Sequence, residues 1–206
     1  NAMEHYNLSN EQDGGRSTGM ACGGKVSLFF EAFVQKQPVY IFGAGHIGKA
    51  LFEMLGHLDV KPFIIDDRPE MINAAEAGEG AKILSDFGDF IDNTNFGRKP
   101  FFLLATYQHQ HDSLILNKLF RLGINTPYIG VVASKSTRSV LLERLEKELG
   151  QEPDLSAVYM PVGLDIGGTD DPWEIALSIA AEMQAIRYGK KAGHIRDKKR
   201  KHISGD

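Results

Sequence analysis

A glycine-rich turn is the part of the chain whose residue types and spacing most directly indicate chemistry. Residues 43–48 read Gly-Ala-Gly-His-Ile-Gly, which is the pattern G-x-G-x-x-G, with an apolar run before it and a helical period after it. In that context Gly43 permits a tight turn, Gly45 lets backbone N–H groups approach an anion, and Gly48 permits close packing of the helix. The turn predicts a site for a phosphate or pyrophosphate, with these glycines and His46 as candidate cofactor-binding residues.

The next two candidates follow a second apolar run. Asp66 lies 18 residues after Gly48, at the position where an acid can bind the diol of a ribose. Arg68 lies two residues further on and suits a phosphate instead. The two residues therefore leave the ligand open between a dinucleotide and another phosphate-bearing molecule.

A third group of polar residues, within 106–112, comes after another apolar run. His109 could act as a general acid or base, or hold a metal or an oxyanion, whereas Asp112 can simply cap the helix that follows. His109 and His111 are two residues apart, which does not put them on one face of a helix, so a metal site is weakly supported. We predict a functional role for His109, with a histidine of a surface loop as the alternative.

A cysteine and an aspartate complete the set. Cys22 is the single cysteine, and Gly23 and Gly24 follow it in a bend of small residues. A thiolate binds soft metals and can accept or pass on sulfur, although a lone cysteine is also a common inert side chain. Asp165 lies among the glycines of residues 161–169, a loop suited to close approach of the backbone to a ligand.

The elements that must position these residues alternate along the chain. Short apolar runs at 38–42, 62–65, 101–105 and 128–132 predict buried strands, and helical periods at 47–58, 112–122 and 136–149 predict helices between them. Residues 73–96 predict a short strand near Ile83 and then a short helix, and residues 158–161 predict a further short strand. A last helix starts at Pro172, with Ile175, Ile179, Met183 and Ile186 on one face. The alternation predicts an α/β fold with a doubly wound parallel sheet.

The ends of the chain differ from this body. We expect a disordered leader over residues 1–20, in which Asn1-Ala2-Met3 has the sequence of a scar from tag removal. Residues 21–36 predict a short remnant of an N-terminal β segment, with a strand at 24–33. Residues 37–189 form the predicted main domain, and residues 190–206 form a basic tail.

Composition and charge exclude several classes of protein. Of 206 residues, 42% are hydrophobic and 24% are charged, which is ordinary for a globular protein. No apolar run approaches the roughly 18 residues of a membrane span, no signal peptide is apparent, and one cysteine fits a reducing cytoplasm. The last 20 residues hold eight basic and two acidic side chains, which leaves 15 of the 23 bases and 25 of the 27 acids for an acidic body. Nucleic acid and membrane are therefore not expected as partners.

Taken together, these motifs resemble the xanthine dehydrogenase accessory protein family (XdhC/CoxI), maturation factors of molybdenum hydroxylases. The resemblance covers most of residues 20–190 and rests on six matches in order. They are Cys22-Gly23-Gly24, the strand and turn at 39–48, the acidic run at 66–70, Thr106 with His109 and Asp112, residues 128–135, and the segment from Pro161 to Glu182.

The resemblance implies a Rossmann domain and a smaller N-terminal domain. It implies that the protein binds and protects the molybdenum cofactor (molybdopterin, or its dinucleotide form), assists its sulfuration with a cysteine desulfurase as partner, and delivers it to the apo-hydroxylase. Gly23, Gly24, Thr106, Gly163 and Gly167 are then further cofactor contacts. The residues that would face the dithiolene or metal end are Cys22, His109 and Asp165. Cys22 is the candidate metal ligand among them, and no covalent catalysis by the protein is required.

Some positions depart from the family pattern. Tyr107-Gln108 replaces the usual Arg-Gly, and Ala133 stands where a glycine is usual. The chain also begins just before Cys22, so we expect either a short member that works with a separate partner or a trimmed one. A homodimer is expected too, because the strand at 24–33 would need cover.

Two other functions stay open. One is an NAD(P)-dependent oxidoreductase with His109 as the proton donor and acceptor. The other is a nucleotide- or redox-sensing module in which Cys22 is oxidised and the basic tail binds a partner. The same glycines fit all of these functions, because one fold hosts many activities.

Overall fold

The computed structural model describes residues 2–7, 16–17, 25–30, 36–75, 80–167 and 170–197. The chain divides into two compact units, residues 1–35 and residues 36–206. Cys22, Gly23 and Gly24 lie outside the described residues, as does the tail from residue 198 onward. Their roles stay predictions.

The first unit is a small three-stranded sheet of β1 (Ala2–Asn7), β2 (Arg16–Ser17) and β3 (Lys25–Phe30), in the order β2-β1-β3. β1 pairs antiparallel with β3 along its whole length and parallel with β2. The structure differs here from the disorder predicted up to residue 20. The physical reason is that the backbone N–H and C=O groups of β3 find partners in β1, which the polar composition of the leader does not reveal. One edge of β3 is thus paired within the chain.

The second unit is built on a six-stranded sheet in which all strands are parallel. Its spatial order, β6-β5-β4-β7-β8-β9, is the doubly wound order, so the predicted fold is confirmed. The order reverses between β4 and β7, and ligands of such sheets bind outside the carboxyl ends of the strands at that point. The strands are β4 (Gln37–Phe42), β5 (Val60–Asp66), β6 (Ala81–Leu84), β7 (Phe101–Leu104), β8 (Tyr128–Val131) and β9 (Val158–Tyr159).

In the part of the chain that the structure describes, six α-helices connect and follow these strands, and a 3-10 turn at Ile195–Asp197 comes after α6. Among the described residues, no helix has both the length and the apolar character needed to cross a membrane. α2 was not predicted, because five residues are too few to show a helical period. The helices are α1 (His46–Gly56), α2 (Pro69–Asn73), α3 (Phe87–Asn93), α4 (His109–Arg121), α5 (Lys135–Leu149) and α6 (Pro172–Arg187).

Two hydrophobic cores cover the two faces of the sheet. Along β4, Val39 and Ile41 point into a core with α1 and α6, whereas Tyr40 and Phe42 point into a core with α3, α4 and α5. Successive side chains of a strand point to opposite faces, so both faces of β4 are buried. This double burial explains why the strand reads as a continuous apolar run. It also holds the carboxyl end of β4 in place, and the glycine turn starts from that end.

Candidate functional site

The glycine turn lies between β4 and α1, and two of its glycines are required by packing. Gly43 has φ +107°, and a Cβ there would lie 2.3 Å from the carbonyl oxygen of Ala105. A Cβ on Gly48 would lie 1.9 Å from the carbonyl oxygen of Gly43 and 3.6 Å from Ile41. These are the tight turn and the close packing of the helix that the motif predicts.

The third glycine leaves the N-terminus of α1 open. Gly45 is the N-cap residue, and a Cβ on it would meet nothing within 4 Å. No side chain in the described part of the chain caps this helix, and its first turn has no acidic residue. The first backbone bond within the helix runs from Lys49 N to Gly45 O at 2.9 Å, so the earlier N–H groups are available as donors. With exposed His46 beside them, they form a site suited to an anion.

Asp66 ends β5 and is fully buried, with four N–H donors around it. Ala44 N donates to Oδ2 at 2.6 Å, and Arg68 donates through N, Nε and Nη2 at 3.0, 2.8 and 2.9 Å. Burial alone would raise the pKa of Asp66, but the hydrogen bonds from Arg68 and Ala44 outweigh it and hold that pKa below its usual value. Asp66 thus holds the glycine turn against the end of β5. A ribose diol would have to compete with Arg68 for the carboxylate oxygens of Asp66.

Arg68 also links β5 to the segment after β7. Its guanidinium carbon lies 4.0 Å from the ring centroid of Tyr107, and the Tyr107 hydroxyl donates to Asp67 Oδ2 at 3.1 Å. Because β4 separates β5 from β7, this link passes over the carboxyl end of β4, where the glycine turn lies. In the sequence, the departure from the family pattern at Tyr107 is the signal for this link. That departure does not by itself identify Arg68 as the partner of Tyr107.

The helix after β7 begins earlier than predicted. The prediction puts its start at Asp112, with His109 and His111 in a loop, whereas α4 begins at His109 with Gln108 as N-cap. Gln108 has extended backbone, and its carbonyl oxygen accepts from His111 N at 3.0 Å. The two histidines therefore lie in the first helical turn, and Asp112 is not the cap.

Asp112 is buried at 2% exposure, inside this first turn. The Thr106 hydroxyl donates to its Oδ1 at 2.6 Å, and His109 Nδ1 lies 3.6 Å from its Oδ2. Burial raises the pKa of Asp112, and the contacts with Thr106 and His109 offset this only in part. The His109 side chain is 67% exposed, so the pair can hold or move a proton between a buried carboxyl and a group open to solvent.

The glycine segment after β9 is held by α6. Gly163 has φ +104°, and a Cβ on it would lie 2.2 Å from Ser178 Oγ. Its N–H donates to Glu182 Oε2 at 3.0 Å, and the same oxygen accepts from the Tyr128 hydroxyl at 2.9 Å. Packing against α6 therefore accounts for Gly163, and its predicted contact with a cofactor stays a prediction.

Glu182 was not among the candidates, although the sequence carries a signal for it. It lies seven residues after Ile175, on the inward face of α6, where a carboxylate requires a partner. Burial and Glu182 together raise the pKa of Tyr128 well above its usual value, so the hydroxyl stays a donor to Glu182. Asp165 and Gly167, by contrast, are exposed.

The structure thus brings some candidates together and leaves others apart. The glycine turn, Asp66 and Arg68 form one connected group, and Thr106, His109 and Asp112 form a second at the neighbouring strand end. Asp165 follows β9, two strands away from β7. Within the described ranges, no group of three His, Cys, Asp or Glu side chains could hold a metal ion.

The strand order and the glycine turn define a Rossmann domain. The sequence model of the XdhC Rossmann domain family matches residues 39–183, which is most of the chain. The chain therefore belongs to that family, and the predicted resemblance is confirmed.

Three proteins are similar to this chain, and the names of two of them refer to xanthine dehydrogenase. The uncharacterized protein YqeB of Escherichia coli (strain K12) is 26% identical over 184 residues, which are 88% of this chain and 33% of YqeB. A probable xanthine dehydrogenase subunit of Bacillus subtilis (strain 168) is 28% identical over 79% of this chain and 46% of its own length. The crystal structure of a xanthine dehydrogenase from Bacillus halodurans superposes with a TM-score of 0.64 at 29% identity, over 76% of this chain and 44% of that one. The chain thus spans a third to a half of the length of these relatives.

Proposed function

We propose that this chain is the cofactor-binding part of a maturation factor for a molybdenum hydroxylase of the xanthine dehydrogenase type. Membership of the XdhC family supports the link, as do the names of the relatives from Bacillus subtilis and Bacillus halodurans. The observation that carries the proposal is the open N-terminus of α1 above a glycine turn that packing holds in place.

The residues present fit the phosphate end of the molybdenum cofactor. Molybdopterin carries a terminal phosphate, and the uncapped N–H groups around Gly45 and His46 offer an anion both donors and positive potential. Arg68 lies at the next strand end, where its guanidinium is held by Asp66 and by the Tyr107 ring. In this proposal Gly45, His46 and Arg68 hold the phosphate, while Asp66 holds the turn.

The metal end of the cofactor would face Cys22, His109 and Asp165. When bound, the cofactor supplies a dithiolene-held molybdenum for the client enzyme. Cys22 remains the candidate soft ligand, and Gly23 and Gly24 its neighbours. The pair of His109 and Asp112 would hold a proton near the ligand, with Asp165 as a further contact.

The chain would act as a carrier rather than a catalyst. It would bind the cofactor, exclude water from it, present it for sulfuration by a cysteine desulfurase, and deliver it to the apo-hydroxylase in the cytoplasm. The expected delivery assay mixes the loaded chain with purified apo-hydroxylase and measures the return of hydroxylase activity. Equal activity from free cofactor alone would argue against delivery.

NAD(P) is the competing ligand, because the glycine turn and strand order also fit a dinucleotide. The state of Asp66 disfavours it. All four hydrogen bonds of that carboxylate are made to Ala44 and Arg68, so the acceptors that a ribose diol needs are already in use.

The test compares two ligands and two matched variants. Gly45→Asp puts a carboxylate at the open N-terminus of α1, and Gly45→Asn puts a neutral side chain of the same shape there; the open space at Gly45 lets both fold. We expect molybdenum cofactor, assayed anaerobically, to bind the wild type most tightly and Gly45→Asn more weakly, because an asparagine at the N-cap accepts from the same N–H groups. Gly45→Asp should bind about tenfold more weakly than Gly45→Asn, because its carboxylate also repels the phosphate. NADH is measured in parallel by fluorescence.

The outcomes separate the functions. Cofactor binding that falls much further in Gly45→Asp than in Gly45→Asn, with NADH ignored, supports the carrier. NADH binding that needs Gly45, with molybdenum cofactor ignored, would establish the dinucleotide enzyme instead. Loss of binding in Cys22→Ala would add the thiol to the site.

A further inference from the structure

The carboxyl end of β5 offers hydrogen-bond donors to a ligand, whereas its side-chain acceptors are in use. Asp66 is fully buried there, and each of its two oxygens accepts two hydrogen bonds from Ala44 and Arg68. The Arg68 side chain is 29% exposed, and two of the five N–H donors of its guanidinium go to Asp66, which leaves three for a ligand. This strand end therefore suits an anionic oxygen rather than a pair of hydroxyl donors.

A stack of side chains holds Arg68 in this position from the other side of β4. Its guanidinium carbon lies 4.0 Å from the centroid of the Tyr107 ring, and the Tyr107 hydroxyl donates to Asp67 at 3.1 Å. The Tyr107 ring also contacts His111 at 4.8 Å between centroids, and His111 packs edge-on against Phe87 at 5.3 Å. Phe87 is fully buried, so the core of the domain anchors the stack and the Arg68 guanidinium is fixed before a ligand binds.

A dinucleotide bound to a doubly wound sheet spans two strand ends. Its pyrophosphate lies at the glycine turn, and its ribose hydroxyls donate to an acid at the end of the neighbouring strand. In this chain that strand is β5 and that acid is Asp66. A ribose would have to displace Arg68 from Asp66, and the guanidinium would then lose its contact with Tyr107 as well. A phosphate monoester requires no such displacement.

We propose that the Arg68 guanidinium, held by Asp66 and Tyr107, makes the site selective for the form of the molybdenum cofactor that ends in a phosphate monoester, and excludes its dinucleotide form. The inference rests on the proposed function and goes beyond it by naming the form of the cofactor. A monoester also concentrates about −1.5 to −2 of charge on one phosphate at neutral pH, whereas each phosphate of a pyrophosphate diester carries a single charge. Arg68 is then the specificity-determining residue, and Tyr107 is a positioning residue.

The test compares anaerobic binding of two probes, the monoester form of the cofactor and its cytosine dinucleotide. We expect the wild type to bind the monoester about tenfold more tightly than the dinucleotide. Arg68→Ala removes the donors and frees the oxygens of Asp66, so monoester binding should fall about tenfold while dinucleotide binding rises. Arg144→Ala on α5 is the matched control, because Arg144 is 51% exposed and pairs with Glu148 on the same helix, outside the stack.

Tyr107→Leu is the second variant, and it keeps the test decisive if Arg68→Ala does not fold. It retains the pair of Asp66 and Arg68 and removes only the stack. The preference for the monoester should narrow about threefold in this variant. A merely structural role of Tyr107 would weaken binding of both forms alike and leave their ratio unchanged.

The outcomes distinguish this inference from the proposed function. Equal binding of the two forms by the wild type would overturn the selectivity and leave the cofactor carrier standing. A ratio unchanged in both Arg68→Ala and Tyr107→Leu would also overturn the selectivity. NADPH that binds more tightly than either form would assign Arg68 to a 2′-phosphate, with the same consequence. Binding of neither form would overturn the proposed function, and the selectivity with it.

Discussion

Two buried aspartates at the same edge of the sheet differ in how they are paired. Asp66, at the end of β5, is surrounded by N–H donors and a guanidinium, which hold its pKa down. Asp112, beyond the end of β7, has one hydroxyl and a histidine at 3.6 Å, and burial raises its pKa. Both are almost completely removed from solvent.

The difference separates a residue that builds the site from one that can work in it. A carboxylate with all its acceptors in use is fixed in charge and position, so Asp66 shapes the glycine turn. A carboxyl that is only partly compensated, next to an exposed imidazole, can change its protonation state when a ligand arrives. The β5 side of the site is thus rigid, and the β7 side is the side where proton chemistry is possible.

The largest expected effect on stability comes from a substitution at Gly43, because this residue contacts both regions. Gly43 donates to Ile65 O at 2.8 Å and passes close to Ala105, so it contacts both strand ends. Gly43→Ala combines a positive φ with a clash against backbone, and we expect a loss of about 3 kcal/mol or more in the free energy of unfolding. Urea denaturation measures this loss in the free energy of unfolding. Gly45→Ala is the control, expected to cost less than about 1 kcal/mol, and equal costs would contradict the packing argument.

Replacing each of the two aspartates by asparagine should give the next largest effect, and it tests their pairing directly. Asp66→Asn should lower the free energy of unfolding by about 2 kcal/mol, because it removes charge-assisted hydrogen bonds and replaces acceptors by an NH2 group that faces donors. Asp112→Asn should cost less than about 1 kcal/mol, since its carboxylate is poorly compensated. Denaturation at neutral pH compares the two variants. A reversed order would mean that Asp112 is the better-paired residue.

The pH dependence of the same variants should have opposite signs. The folded pKa of Asp66 lies below its unfolded value, so its contribution is present at neutral pH and is lost as the pH falls below about 4. The folded pKa of Asp112 is raised, so its ionisation costs stability as the pH rises above about 4.

The advantage of the wild type over Asp66→Asn should therefore shrink toward acid, whereas its advantage over Asp112→Asn should shrink toward neutral pH. Urea denaturation at several pH values measures both differences. Curves that move in the same direction would remove the distinction between the two sites.

The smallest effect concerns the link between the two regions. Tyr107→Phe keeps the ring over Arg68 but loses the hydroxyl bond to Asp67, and Tyr107→Leu loses both. We expect costs of about 0.5 and about 1 kcal/mol, because both contacts are partly exposed. Thermal unfolding measures them against wild type. A greater loss in the Phe variant than in the Leu variant would contradict the stacking.

The main features of the fold are predictable from the sequence, because each depends on neighbours along the chain. The apolar run of β4, the glycines at 43 and 48, and the inward face of α6 all follow from local pattern. The family, too, is readable from its ordered motifs.

Other features depend on backbone geometry or on side-chain contacts that the local residue pattern does not specify. The start of α4 at His109 depends on the extended backbone at Gln108, and β1 depends on pairing with β3. Asp66 receives three hydrogen bonds from Arg68, two residues on, and a fourth from Ala44, 22 residues away. The role of Glu182 depends on Tyr128, 54 residues away. Residue type alone therefore suggests that Asp66 is free for a ligand, and the inward position of Glu182 on α6 does not identify its partner.

The large sheet ends on both sides in short strands, which has a consequence for storage of the protein. β9 has two residues, and β6 has four, with Lys82 exposed among them. Such edges give an incoming strand little backbone to pair with, and a charged side chain there opposes it. We therefore expect the native domain to resist fibril formation, so that aggregates in concentrated stocks arise from chains that have first unfolded.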